Sequence, residues 1–281
     1  MVACSDYFFE MGDVRMKLLA VDMDGTCLNS QKILPTETLA ALQKAQDHGL
    51  IVVPTTGRTL HWLPNGLQRW GGYPYVISSN GAKIYDCKKE QTLLESGISN
   101  ERAVALLEAC RGKGLGLTAH VQDDYYLQGL LLLILGRRSF REDADRFRYT
   151  RDLSRLIQRR KTDVEEVQIF LMKPENRSVM DNILRDFPEL SVSWDKTYVE
   201  IMAQGVSKGT ALTVLGEHLG IGKEDIACIG DNENDMAMFD AAGLRFAMGN
   251  AVPALKNRAD VILPTNDEFG VAHAVEMLLK K

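Results

Sequence analysis

Asp22 and Asp24 stand two residues apart at the end of an apolar run, Leu18, Leu19, Ala20 and Val21, with Gly25 and Thr26 directly behind them. Alternate side chains of an extended chain point the same way, so both carboxylates share one side of the strand end. Two such charges repel unless something positive lies between them. A hard divalent cation such as Mg2+ answers that need, because it takes oxygen ligands and keeps positions open for phosphate. Three more places put polar side chains at or beside the ends of apolar runs: Thr56 in TTGR, Lys208 in GVSKG, and the acidic group from Asp231 to Asp235. Together they offer a nucleophile, a hydroxyl donor, a cation and a metal ligand. Singly each has a plainer reading. Thr56 before Gly57 fits a turn, Lys208 before a helix fits a solvated lysine, and either acidic group fits a calcium loop. An EF-hand loop needs Glu at its twelfth position. Counted from Asp22 that residue is Ile33, and from Asp231 it is Ala242, with Met236 where the sixth position needs Gly.

The elements that must carry these residues are legible from periodicity. Four apolar residues in a row before Asp22 suit a strand buried on both faces of a parallel sheet. Residues 35–49 read as a helix capped by Thr36, with Leu39 and Leu42 on its buried face and Gly49 closing it. Residues 50–54 form the next strand, and strand, helix, strand implies a right-handed parallel crossover. A third strand at 75–78 leads into Asn80, Gly81 and Ala82. The pattern resumes with strands at 226–229, 244–248 and 261–263 and helices at 209–219 and 235–242. The expected fold is α/β, a doubly wound parallel sheet over residues 1–85 and 197–281, whose ligands bind beyond the carboxyl ends of the strands. Residues 86–196 differ in character. Helices at 101–110 and 179–187 and strands at 115–121, 125–127, 167–172 and 190–194 predict an inserted α+β domain. The apolar run 130–135 is far too short to cross a bilayer, which takes about 20 residues, and reads as a buried strand or helix.

Across these segments the chain resembles the haloacid dehalogenase (HAD) phosphatase superfamily. DMDGT at residues 22–26 resembles its first motif, TTGR the second, GVSKG the third and GDNENDM the fourth. TTGR, the Asn80-Gly81-Ala82 step and an insertion between the second and third motifs resemble the Cof-type subfamily, whose core is Rossmann-like and whose α/β cap covers the site. By that resemblance Asp22 attacks phosphorus and forms an aspartyl-phosphate. Asp24 protonates the leaving oxygen and then takes a proton from water. Mg2+ is held by Asp22, Asp24, through its backbone carbonyl, and Asp231, with Asp235 in support. Thr56, Lys208, the Asn234 amide and backbone donors near Met23 and Gly57 hold phosphoryl oxygens, while Arg58 either reaches the substrate or braces its own loop. Cys27 stands where the family has an aliphatic residue, and a small thiol fills such a space. The implied function is a Mg2+-dependent phosphomonoester hydrolase acting on sugar phosphates or other small phosphorylated metabolites. A sugar phosphomutase is the rival among enzymes. A phosphate-sensing or phospho-accepting regulatory protein is the rival outside them, and Asp24 argues against it because turnover needs its acid and base.

Composition narrows the partners. With 33 Lys plus Arg against 38 Asp plus Glu, the formal charge is −5 over 281 residues, and such a chain has no bulk electrostatic reason to hold nucleic acid. Arg137, Arg138 and Arg141, and again Arg155, Arg159, Arg160 and Lys161, lack interleaved aromatic platforms and read as solvated helix faces. Five cysteines without a CxxC pair fit a reducing cytoplasm, and the first fifteen residues lack the pattern of a secretory signal. Met16 is an alternative start, which makes residues 1–15 a dispensable extension. No histidine is assigned to metal, Trp62 and Trp194 are core residues or line the space between domains, and the chain is expected to act as a monomer or weak homodimer without nucleic acid or membrane partners.

Overall fold

The computed structural model describes residues 16–280; the expected extension at 1–15 lies outside them. In chain order the strands are β1 (Leu18–Val21), β2 (Ile51–Pro54), β3 (Tyr75–Ser78), β4 (Lys83–Asp86), β5 (Gln91–Glu95), β6 (Leu115–Val121), β7 (Asp124–Gln128), β8 (Arg148–Thr150), β9 (Glu166–Leu171), β10 (Ser191–Trp194), β11 (Tyr198–Met202), β12 (Ile226–Gly230), β13 (Leu244–Ala247) and β14 (Val261–Ile262).

Five of them make one parallel sheet in the order β14-β13-β12-β1-β2. With β1 in its interior, all four of its side chains are fully buried, which is why its sequence shows no alternation. Helix Thr36–Asp47 crosses from β1 to β2 and buries Thr38, Leu42 and Ala45. Thr36 is the first helical residue rather than the cap: Pro35 holds that position without a side-chain bond, since proline's fixed φ already suits a helix start. On the other side, helix Lys208–Leu219 precedes β12, and Met236–Ala241 joins β12 to β13.

β3 touches the parallel sheet through a single Thr55–Ile77 bridge, then pairs antiparallel with β4, which pairs with β5. The chain reverses there because Ser79, Asn80 and Gly81 all take positive φ (47°, 52° and 99°). Only glycine fits the last of these. A Cβ on Gly81 would lie 2.1 Å from the Ser207 carbonyl oxygen.

A second sheet is antiparallel apart from its β7–β8 pair, in the order β10-β11-β9-β6-β7-β8. Here the alternation is clean. Leu117, Ala119, Val121, Val167, Ile169, Val199 and Ile201 share a core with helices Asn100–Cys110, Leu153–Arg160 and Asn176–Leu184. The opposite face carries Thr118, His120, Glu166 and Glu200, all buried, because it lies on the parallel-sheet region. β5 and β11 fall on either side of the limits expected at 86 and 196: Leu93 and Leu94 of β5 pack on the parallel-sheet core, while β11 sits inside the antiparallel sheet. The run 130–135 is helical, within Leu130–Phe140, but it is not buried as expected. Leu130, Leu131 and Ile134 are 62%, 59% and 62% exposed, since only the row through Leu132 has a neighbouring surface to meet. No helix among the described residues is long and apolar enough to cross a membrane.

Candidate active site

The motif segments meet where β1, β2 and β12 end and helix Lys208–Leu219 begins. Asp22 follows β1 directly, its N–H donating to the Ile229 carbonyl at 3.1 Å, so the first and fourth motifs are tied by the sheet ladder itself. Lys208 is set by its neighbour. Ser207 and Thr210 form a capping box, each side chain taking the other's N–H, which fixes Lys208 in the first turn of the helix. From there its Nζ donates to Asp22 Oδ1 at 2.6 Å and Asp235 Oδ1 at 2.7 Å, and all three side chains are buried. The other Asp235 oxygen takes the N–H groups of Asp231 and Asn232, and Thr26 donates to Asp231 at 2.7 Å. Gly25, at φ 87°, passes so close that a Cβ there would stand 2.3 Å from Asp231 Oδ2.

Oxygens of Asp22, Asp231 and Asp235 lie within 4.8 Å of one another. One ammonium faces three carboxylates. Burial pushes the Asp22 carboxyl well above its ordinary range, with Lys208 opposing and the Asp235 and Asp231 charges adding to the rise. Burial and then the Asp235 charge push Asp231 up to about 7. Burial alone would lower Lys208, but Asp22 and Asp235 overcome it and hold the ammonium charged. Such an excess of buried negative charge, presented by hard oxygen donors alone, fits a divalent cation of the Mg2+ type.

Asp24 faces elsewhere. Its carboxylate takes Nε and Nη2 of Arg58 at 2.7 and 3.0 Å and Nζ of Lys32 at 3.0 Å. Burial pushes it up, but the Arg58 charge and hydrogen bonds, joined by Lys32, outweigh burial and hold it below the usual carboxylate range. Its side-chain oxygens are not among the carboxylate oxygens that Asp22, Asp231 and Asp235 bring together. Thr56 is buried beside this group, its hydroxyl accepting from the Arg58 N–H at 3.1 Å. Asn234 donates to Asn80 Oδ1 at 3.0 Å, and Asn80 also crowds Gly57, whose Cβ would stand 3.1 Å from Asn80 Nδ2. The Met23 carbonyl closes the turn after β1 by accepting from Thr26 and Leu28. Cys27 is buried in the parallel-sheet core.

Several residues that sequence reasoning passed over complete the surroundings. The antiparallel sheet lays its polar face on the site: Asn80 donates to Glu166 Oε2 at 2.9 Å, Ser79 to Glu165 at 2.8 Å, and Glu166 Oε1 has no hydrogen-bond partner among the described residues. Burial raises Glu200 to about 7 and lowers His120 to about 3, so that ring stays neutral. Arg58 also reaches across, donating to Asp143 at 2.7 Å, and Trp62 stacks on Tyr125 with centroids 4.8 Å apart. No motif marks Asp143; only its position in the folded chain does. A crevice of about 700 Å³ runs from Asn80, Lys208 and Asn234 out to Ser193 and Trp194.

The same segments are matched by relatives. A family model for haloacid dehalogenase-like hydrolases matches residues 19–275. The chain is 34% identical to the phosphatase YwpJ of Bacillus subtilis, over 94% of this chain and all of that protein. It is 31% identical to the 5-amino-6-(5-phospho-D-ribitylamino)uracil phosphatase YcsE of the same organism, over 94% of this chain and 96% of that one. A solved haloacid dehalogenase-like hydrolase from B. subtilis superposes with a TM-score of 0.84 at 30% identity, covering 94% of this chain and 100% of that one. A second from Bacteroides thetaiotaomicron gives 0.81 at 27%, with 94% and 100% covered. Because the match runs through the acidic cluster, its lysine and the sheet that presents them, this chain belongs to the haloacid dehalogenase-like hydrolases of the Cof type and is a phosphatase of that family.

Proposed function

We propose that this phosphatase is a Mg2+-dependent phosphomonoesterase that works through an aspartyl-phosphate on Asp22. The observation that carries the reading is the buried Asp22 carboxylate held on Lys208 beside Asp231 and Asp235 at the end of β1. Asp22 attacks phosphorus with one oxygen, the P–O ester bond breaks, and the leaving oxygen takes a proton from Asp24. In the second half Asp24 removes a proton from water, the water oxygen bonds phosphorus, and Asp22 is released with free phosphate. In its contact with Arg58 and Lys32, Asp24 stands as the charged base, and its acid role requires that it gain a proton and turn from them. Lys208, Thr56, Asn234 and backbone donors at Met23 and Gly57 hold the phosphoryl oxygens, the positioning that supplies most of the catalysis in phosphoryl transfer. Asp22, Asp231 and the Asp24 carbonyl would hold Mg2+, with Asp235 bracing them; the bound ion would supply charge stabilisation for the transferring group.

Substrates in this reading are sugar phosphates or other small phosphorylated metabolites. The name of one relative, a ribitylaminouracil phosphatase, and the size of the crevice beside Lys208 support that class. The reading includes a core and a cap, supported by two separate apolar cores, with the chain crossing between them near Ser96 and Ala203 rather than at 86 and 196. It also places a monomer or weak homodimer in the cytoplasm, to which the four unpaired thiols described, Cys27, Cys87, Cys110 and Cys228, lend support.

The test is phosphate release from a panel of sugar phosphates, nucleotides and cofactor phosphates, with Mg2+ and with chelator, for wild type and Asp22→Asn. Metal-dependent release that vanishes in the variant is the expected result. Equal release from the variant would refute the nucleophile, and an isomeric sugar phosphate in place of free phosphate would favour a mutase.

A further inference from the structure

We propose that Asn80 is a positioning residue of the phosphoryl site. Acting through Asn234, it turns that side chain so that the amide nitrogen, and not the oxygen, meets the phosphoryl group. The inference rests on Asn234 holding a phosphoryl oxygen.

An asparagine amide ends in an oxygen that accepts and a nitrogen that donates twice. Asn234 Nδ2 gives one hydrogen to Asn80 Oδ1 at 3.0 Å, and the residue lines the crevice beside Lys208, so the second hydrogen is the one a phosphoryl oxygen can take. Turned over, Asn234 would set oxygen against oxygen at Asn80 and offer phosphate a carbonyl, which repels it. What keeps Asn80 from turning as well is the antiparallel sheet. Asn80 Nδ2 donates to Glu166 Oε2 at 2.9 Å, and the same amide bonds Glu200. Burial raises Glu200 to about 7, so at pH 8 it is mostly ionised and then only accepts. Asn80 is 1% exposed, and water competes little for these bonds. The backbone is committed to the same geometry. Ser79 and Asn80 stand at φ 47° and 52°, a left-handed conformation that asparagine adopts more readily than most residues. Their N–H groups donate to the Arg58 and Thr56 carbonyls at 2.9 and 3.1 Å, while the Ser79 hydroxyl donates to Glu165 at 2.8 Å. The turn is thus fastened to the second-motif loop by its backbone and to the antiparallel sheet by its side chains, and the Asn80 amide is the part that reaches Asn234.

A turn that merely braces the second motif predicts the same contacts, and a double-mutant cycle separates the two roles. The cycle measures kcat, KM and the inhibition constant of inorganic phosphate, in Mg2+ at pH 8, for the full-length chain and for Asn80→Gly, Asn234→Ala and both together. Glycine suits the left-handed turn and keeps its backbone bonds while removing the amide. A hydrogen bond to a charged group is worth about tenfold or more, so Asn234→Ala should lose roughly tenfold in kcat/KM and in phosphate affinity. Asn80→Gly should lose part of that, about three- to tenfold, in the otherwise native chain, and less than about twofold in the Asn234→Ala background. Asn80→Ala, stiffer than glycine, gives the same reading should the glycine variant loosen the turn. An equal loss in both backgrounds, or none in either, would overturn the proposal and leave Asn234 at the phosphoryl site. An Asn234→Ala variant as active as wild type, with unchanged phosphate inhibition, would instead remove Asn234 from that site and this inference with it, without touching the Asp22 nucleophile.

Discussion

Replacing Lys208 by methionine tests the charge balance of the site most directly. The ammonium is 1% exposed and bonds Asp22 and Asp235 at 2.6 and 2.7 Å, and these carboxylates are themselves 7% and 0% exposed. Methionine keeps the length and apolar stem but leaves two buried carboxylates facing each other with Asp231 beside them. Removing one partner of a buried ion pair costs about 3–5 kcal/mol. At roughly 2–4 °C per kcal/mol for a chain of this general size, that is a fall of about 6–20 °C in the unfolding midpoint. The sign of its pH dependence follows from the acids. The folded pKa values of Asp22 and Asp231, already raised by burial, rise further without Lys208, so the folded state binds more protons than the unfolded one above pH 4. Stability of the variant then falls as pH rises through that window, and its deficit is largest near pH 8 and shrinks toward pH 5. Urea or thermal unfolding in chelator at both pH values reads this out, and Lys208→Met with Asp235→Asn should recover part of the loss. A variant as stable as wild type at pH 8 would mean that the ammonium does not offset two ionised carboxylates, and the account of the cluster would be wrong.

Two other outcomes follow from the same cluster. Asp231 is pushed up to about 7, well above its unfolded value, so the metal-free protein should lose stability as pH rises from 5 to 8; millimolar Mg2+ should flatten that slope, and thermal unfolding with and without chelator checks it. Gly25→Ala forces a side chain into the left-handed region and against Asp231, with about 1–3 kcal/mol of backbone strain before any contact is counted. Its Mg2+ requirement for phosphate release should move to higher concentration with the fold retained by circular dichroism.

How much of this was legible beforehand depended on whether a feature is local. The β1 run, the DMDGT turn and the Ser207–Lys208 helix start each encode their structure within a few residues, and each appears in place. Asp24 was read correctly for its position but not for its direction, because its partners Arg58 and Lys32 stand on other segments and nothing in their spacing announces them. β11 was missed for a related reason. Tyr198, Glu200 and Met202 alternate with Val199 and Ile201, yet Tyr198 and Glu200 are polar residues turned to a second buried surface that only the closed fold creates. The exposed row on Leu130–Phe140 is the converse, an apolar pattern that predicts burial although only one side of the helix has anything to bury against.

The cations around the site lead to a last expectation. Lys208 is held by Asp22 and Asp235, Arg58 by Asp24 and Asp143, Lys83 by Asp123, and Lys32 by Asp24. Above them the cap adds Glu165, Glu166 and Glu200, all buried. A phosphate dianion arriving here meets cations that are already engaged, while burial raises the cap carboxyls toward their neutral form and any that stays ionised repels it, at about 4 Å by roughly 4 kcal/mol per pair of unit charges at an effective dielectric of 20. Lys208 alone cannot offset that, because its charge is shared. A divalent ion among Asp22, Asp231 and the Asp24 carbonyl would reverse the local sign before the anion binds. Inorganic phosphate should therefore raise the unfolding midpoint in Mg2+ and leave it nearly unchanged in chelator, and the two ligands together should stabilise by more than the sum of each alone. Equal stabilisation by phosphate in chelator would show that Lys208 and the backbone donors suffice, and that the acidic cluster does not govern anion binding.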